Sequence, residues 1–159
     1  MNIFLKGNLF SERSFNNHKK GKIMLRILFV DDDVTAHALL KGMLPDWEIL
    51  SAYSGTEALD ILSREYGLIV VTDIHMPKMD GLKLLERIRK EYPMVQVIVL
   101  SATDQSNNLL KAYQAGANDF ISKPFNRDEI VEALIITERK IERWQNAMSD
   151  IYDKKGKNW

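Results

Sequence analysis

The stretch Leu68-Ile-Val-Val-Thr-Asp73-Ile-His-Met-Pro77-Lys-Met-Asp-Gly81 decides the fold. Leu68 to Val71 is a short apolar run rich in β-branched side chains. A run of that length reads as a strand buried on both faces of a parallel sheet rather than as a helix. It ends on a carboxylate, Asp73. Pro77 and the Met-Asp-Gly turn then break the pattern, and Asp80 stands where it can cap a following helix. The carboxyl end of a buried parallel strand is where open α/β sheets bind ligands. A lone Asp there is as readily a loop cap as a functional group, so the rest of the chain has to decide.

Upstream, Arg26-Ile-Leu-Phe-Val30 is a second buried strand, and it runs into Asp31-Asp32-Asp33. Val34 to Met43 has helical spacing, with Asp33 as cap and Pro45 beyond its end. Trp47 to Ala52 alternates weakly and reads as a less buried strand. Ser54-Gly-Thr-Glu57 is a capping box that opens another helix. Downstream, Leu82, Leu84, Leu85 and Ile88 form the apolar side of a helix ending near Pro93. Val95 to Leu100 is a strand ending on Ser101. Asp104 to Ala115 is a polar helix closed by Gly116. Phe120-Ile-Ser122 is a short strand running into Lys123-Pro124, and Asn126 with Glu129 caps a last helix. Five strands alternating with five helices predict a doubly wound parallel sheet with right-handed crossovers and helices on both faces.

Every polar strand ending then falls on one edge. That edge gathers Asp31 and Asp32, Asp73, Ser101 and Lys123. Converging carboxylates repel, and a divalent cation relieves the conflict. Mg²⁺ suits all-oxygen ligands and keeps waters that a phosphate can replace. A lysine can hold a phosphate oxygen as a point charge, and a hydroxyl can donate to it. The set suits phosphoryl transfer, which depends on positioning and charge neutralisation.

Composition narrows the classes. The chain has 159 residues, 45% of them apolar, which suits one globular domain with tails. Lys+Arg and Asp+Glu number 22 each, so no net field favours nucleic acid. The absence of cysteine excludes disulfides and thiolate chemistry and suits a cytoplasmic location. No apolar run approaches the ~20 residues of a membrane helix. Residues 1–23 carry little apolar periodicity and read as a flexible extension. Lys19-Lys-Gly-Lys-Ile23 requires purine-rich codons, so Met24 is an expected translation start.

These residues resemble the receiver domain of two-component response regulators. Val30-Asp31-Asp32, the Asp73 to Gly81 segment, Ser101-Ala102, Ala115-Gly116-Ala117 and Lys123-Pro124-Phe125 carry the resemblance, over roughly residues 24–137. It implies a flavodoxin-like sheet of strand order 2-1-3-4-5. It implies Asp73 as phosphoacceptor from a histidine kinase or phosphotransfer protein. Mg²⁺ would be held by Asp32, Asp73 and the main-chain carbonyl of His75, with Asp31 assisting through water. Lys123 would pair with the phosphoryl group and Ser101 would move to bond it, with Phe120 at the aromatic switch position. Beyond its own phosphorylation and slow dephosphorylation, such a domain is not an enzyme.

Two other readings compete. Asp31-Asp-Asp33-Val-Thr35 fits the signature of haloacid-dehalogenase-type phosphatases, with Asp31 as nucleophile and Asp33 as general acid. That family's acidic motif beyond the lysine is missing, and no insertion is long enough for a substrate cap. The third reading is a binding module that is not phosphorylated. No basic helix-turn-helix follows the domain, so no nucleic acid is expected on this chain. Residues 138–159 read as a helical extension. Leu134, Thr137, Ile141, Trp144, Met148 and Ile151 recur in steps of three and four, the spacing of a coiled-coil seam, so a homodimer through this helix is expected.

Overall fold

The computed structural model describes residues 25–102 and 106–156, without the side chains of Ser106 and residues 152–156. The flexible extension and the Met24 start lie outside the described residues. The strands are β1 (Arg26–Val30), β2 (Ile49–Ala52), β3 (Leu68–Asp73), β4 (Gln96–Ala102) and β5 (Asp119–Lys123). The helices are α1 (Val34–Met43), α2 (Gly55–Arg64), α3 (Gly81–Glu91), α4 (Ser106–Gln114) and α5 (Arg127–Gly156). The strands form one parallel sheet in the order β2-β1-β3-β4-β5, the flavodoxin-like order. Trp47 and Glu48, expected in a strand, precede β2, which begins at Ile49.

The centre of the sheet is apolar on both faces. All six residues of β3 and the first six of β4 are buried. Ile27, Leu28 and Val30 of β1, Ile69 to Val71 of β3 and Val97 to Leu100 of β4 are fully enclosed. Continuous apolar runs are what two covered faces demand. The edge strand β2 is only half-buried over three of its four residues, which explains its weaker pattern.

The predicted caps are made. Asp33 accepts from Thr35 N and Asp80 from Lys83 N, each at 2.8 Å. Ser54 accepts from Glu57 N at 3.1 Å. The Glu57 side chain reaches back one residue further than a capping box requires, to Tyr53 N at 2.7 Å. Asn126 and Glu129 exchange bonds reciprocally, at 3.0 and 2.8 Å. Each cap satisfies helix-end donors that would otherwise be orphaned, so helix starts are set locally, beside the strand ends that carry the site.

Candidate functional site

The register places the site residues before any side chain is considered. Val30 pairs with Thr72, Asp73 with Leu100, Ser101 with Ser122 and Ala102 with Lys123. Asp31 and Asp32 therefore leave β1 just where β3 delivers Asp73, and Ser101 and Lys123 follow across β4 and β5. One carboxylate oxygen from each of Asp31, Asp32 and Asp73 lies within 4.8 Å of the other two. Lys123 Nζ is 2.7 Å from Asp73 Oδ1 and 3.4 Å from Asp31 Oδ2. Of the expected site residues, Asp31, Asp32, Asp73 and Lys123 are brought together, and Ser101 stands beside them on β4 by register.

Their environments differ. Asp31 and Asp73 are buried, whereas Asp32 is exposed. Burial is the largest influence on the Asp31 carboxyl and raises its pKa above the ordinary value. The Asp33 N–H, which donates to Asp31 Oδ1 at 2.9 Å, and the Lys123 charge oppose that rise without cancelling it, and the Asp73 charge adds to it. Burial pulls the Lys123 ammonium down, but its hydrogen bonds and its attraction to Asp73 and Asp31 outweigh that and raise its pKa. The lysine stays cationic at neutral pH, bridging two of three crowded carboxylates.

The donor set fits a hard divalent cation. Three carboxylates offer only oxygen, which suits Mg²⁺ and not softer metals. Ser101 Oγ is buried and has no hydrogen-bond partner. Such an orphaned hydroxyl is costly unless some state of the protein satisfies it.

The loop after β3 shapes this edge. Gly81 N–H donates to Ile74 O and Met79 N–H to Pro77 O, both at 2.8 Å. Lys78 adopts a left-handed φ of 65° at the tip of the turn. His75 is exposed in the same loop. Phe120 is half-buried on β5, opposite Val99 of β4, and packs against the core. Asp33, the general acid of the phosphatase reading, spends its carboxylate capping α1.

Reading the sequence missed two residues. His37 on α1 is buried with both ring nitrogens engaged. Its place in step with Leu40 and Leu44, on the core side of α1, was the available signal. Arg89 on α3 donates to Val95 O at 2.6 Å, Gly116 O at 2.7 Å and Asn118 Oδ1 at 2.5 Å. It thereby ties the α4–β5 turn to α3 and to the start of β4. Burial lowers its pKa. A cation spent on carbonyls across the chain leaves no pattern in the sequence.

Asp31→Asn tests the crowding. Asp31 binds its proton more tightly in the fold than unfolded, because its folded pKa lies above 3.8. The metal-free protein therefore loses stability as pH rises from 3.8 through that raised value, and the penalty persists at neutrality. Without Mg²⁺, Asp31→Asn is expected to unfold at higher urea than the parent at pH 7, and the gap is expected to close on acidification. A gap that widens towards low pH would refute this electrostatic account.

Comparison with known proteins agrees with the geometry. The family model for the response regulator receiver domain matches residues 27–135. The chemotaxis protein CheY of Listeria monocytogenes is 38% identical over 114 residues, covering 70% of this chain and 96% of that protein. The transcriptional regulator NtrC of Klebsiella pneumoniae is 36% identical over 118 residues, covering 73% of this chain but only 24% of NtrC. A receiver domain structure from Clostridium thermocellum superposes with a TM-score of 0.72 at 29% identity, covering 76% of this chain and 98% of that one.

Proposed function

The chain belongs to the response regulator receiver family, and from that premise we propose that Asp73 is its phosphoacceptor, with Mg²⁺ held by Asp32, Asp73 and the His75 carbonyl. Phosphorylation on aspartate and switching of a partner are typical of that family, and its domains bind Mg²⁺ at an acidic cluster. The observation that carries the assignment is the convergence of Asp31, Asp32 and Asp73 within 4.8 Å, with the Lys123 ammonium on Asp73. When bound, Mg²⁺ would neutralise charge between the carboxylates and the phosphoryl oxygens. Asp31 would assist it through water. Lys123 would hold a phosphoryl oxygen, and Ser101 would donate its unpaired hydroxyl to another.

The domain chemistry proposed is its own phosphorylation and slow dephosphorylation, with no other substrate. A histidine kinase or phosphotransfer protein supplies the phosphoryl group in the cytoplasm. No helix among the described residues is long and apolar enough to cross a membrane. Neither nucleic acid nor membrane is a proposed partner of this chain.

The readout face is α4, β5 and α5. Ser101 and Phe120 connect the site to it, and α4 exposes Leu109, Leu110 and Tyr113. Such a group of exposed apolar side chains suits a partner surface. Phosphate on Asp73 would shift the population between two packings of this face. Labelling with a small-molecule phosphodonor in Mg²⁺, followed by peptide mapping, tests the reading. Label on Asp73 is expected, together with altered amide exchange over Ser106–Gln114. Label on Asp31 would instead support the phosphatase, and no label the binding module.

The receiver unit is proposed to span residues 24–137, and the helix beyond it to pair with a second copy. Thr137, Ile141 and Gln145 are buried within the single chain. Trp144 and Ile151, in step with Thr137 along the helix, are 54% and 55% exposed. The seam would therefore rest on Trp144, Met148 and Ile151, with Arg139, Lys140, Glu142 and Arg143 pairing across it. Sedimentation equilibrium is expected to show dimers for the full chain and monomers for a chain ending after Gln145. Monomers for both, with and without a phosphoryl analogue, would defeat the idea.

A further inference from the structure

The main-chain carbonyl of Asp31, just after β1, is taken up by a side chain from α1. Asp31 N–H closes the ladder on Ala52 O at 3.2 Å. Asp31 O lies 2.8 Å from Nε2 of His37. A carbonyl only accepts, so Nε2 carries the hydrogen, and Nδ1 lies 3.0 Å from the Ser51 hydroxyl, within hydrogen-bond reach. The ring is also gripped by its neighbours. Phe29 meets it edge-on at 4.7 Å between centroids, and Tyr53 lies tilted against it at 4.3 Å. His37 is 3% exposed. It links α1, β2 and the acidic turn in one fixed arrangement.

The Asp31 carbonyl belongs to the peptide unit that joins Asp31 to Asp32. That unit is planar, so holding its oxygen also sets the direction of Asp32 N–H and restricts where the Asp32 side chain can project. Among the described residues, no hydrogen bond holds the Asp32 carboxylate itself. Its aim is inherited from the peptide behind it.

We propose that His37 is a positioning residue for Mg²⁺, fixing the Asp31–Asp32 peptide plane through Nε2 and so aiming Asp32 at the site; this rests on the receiver reading above. Residues behind metal ligands orient them, and removing one such residue typically costs about 10- to 100-fold in metal affinity.

Gln and Met form a matched pair for the test. Both are long, unbranched and at home in a helix, but only Gln offers a donor to Asp31 O. Calorimetric titration of Mg²⁺ into unphosphorylated His37→Met is expected to show affinity about tenfold or more below wild type. His37→Gln is expected to recover most of that loss. The Mg²⁺ concentration for half-maximal Asp73 labelling should shift in parallel, while the labelling rate at saturating Mg²⁺ stays within about twofold of wild type. Equal Mg²⁺ affinity in the Met and Gln variants overturns the proposal. Should His37→Met not fold, Ser51→Ala, which frees Nδ1 without altering α1, is expected to weaken Mg²⁺ binding in the same direction. Unchanged affinity there overturns the proposal in that case. If wild type is never labelled yet Mg²⁺ affinity still separates Met from Gln, the phosphoacceptor assignment fails and the role of His37 stands.

Discussion

Asp73→Asn is expected to take up no acid-labile phosphate from a small-molecule phosphodonor in Mg²⁺. The attacking group must be a carboxylate oxygen, and an amide at that position is not a nucleophile. The neighbouring acids do not substitute. Asp31 has one oxygen on Asp33 N–H and the other facing the Lys123 ammonium, and Asp32 is exposed and clear of that ammonium's contacts. Labelling should fall by at least about a thousandfold, the order seen when a nucleophile is removed. The fold should survive, because the substitution keeps the size of the side chain and removes one of three crowded charges. Undiminished phosphate in this variant would refute the assignment of Asp73.

Gly81→Ala is expected to damage both fold and site. A Cβ at Gly81 would collide with Asp73 O, and would stand 2.9 Å from both Asp73 C and Ile74 Cα. All three are backbone atoms, so none can swing aside as a side chain would. The Asp73 carbonyl also accepts from Thr72 Oγ1 at 2.9 Å, and Gly81 N–H is bonded to Ile74 O. Relief requires the end of β3 to move, and Asp73 moves with it. The expected loss is about 3 kcal/mol or more, within the range of severe core substitutions. For a chain of this size that is a fall of roughly 6 °C or more in unfolding midpoint. Gly55→Ala is the comparison. Its Cβ would meet only the Met79 side chain, at 2.6 Å from the sulfur. Met79 can repack, so the cost should be nearer 1 kcal/mol. Urea denaturation and Asp73 labelling measure both effects. A Gly81→Ala protein as stable as Gly55→Ala would show that the close approach is not rigid.

Much of this architecture was legible in the chain because it is written in local physics. Apolar runs rich in β-branched residues at Ile27–Val30, Leu68–Val71 and Val97–Leu100 have one stable use, as strands covered on both faces. Asp33, Ser54, Asp80 and Asn126 sit where helix starts need side-chain acceptors, and each bond formed within a few residues of its origin. Once the strands are parallel, their carboxyl ends share an edge, so the gathering of Asp31, Asp32, Asp73, Ser101 and Lys123 follows from alternation alone. The weak spot was β2. Its start slipped from Trp47 to Ile49 because an edge strand buries too little to imprint its limits.

Tertiary structure decided what depends on distance between segments far apart in sequence. Lys123 meets Asp73 and Asp31 across 50 and 92 positions, and their mutual effect on protonation exists only once they touch. Asp31 is buried and Asp32 is exposed although they are identical neighbours, because the chain turns between them. His37 and Arg89 read as unremarkable helix residues until the fold set Asp31 O beside one and the Gly116–Asn118 turn beside the other. Heptad spacing proposed one stripe along α5, but only packing divided it into covered Leu134, Thr137 and Ile141 and exposed Trp144 and Ile151. Periodicity and capping are short-range and leave their mark on neighbouring residues; burial, hydrogen-bond partners and charge coupling belong to pairs that only the closed fold brings together.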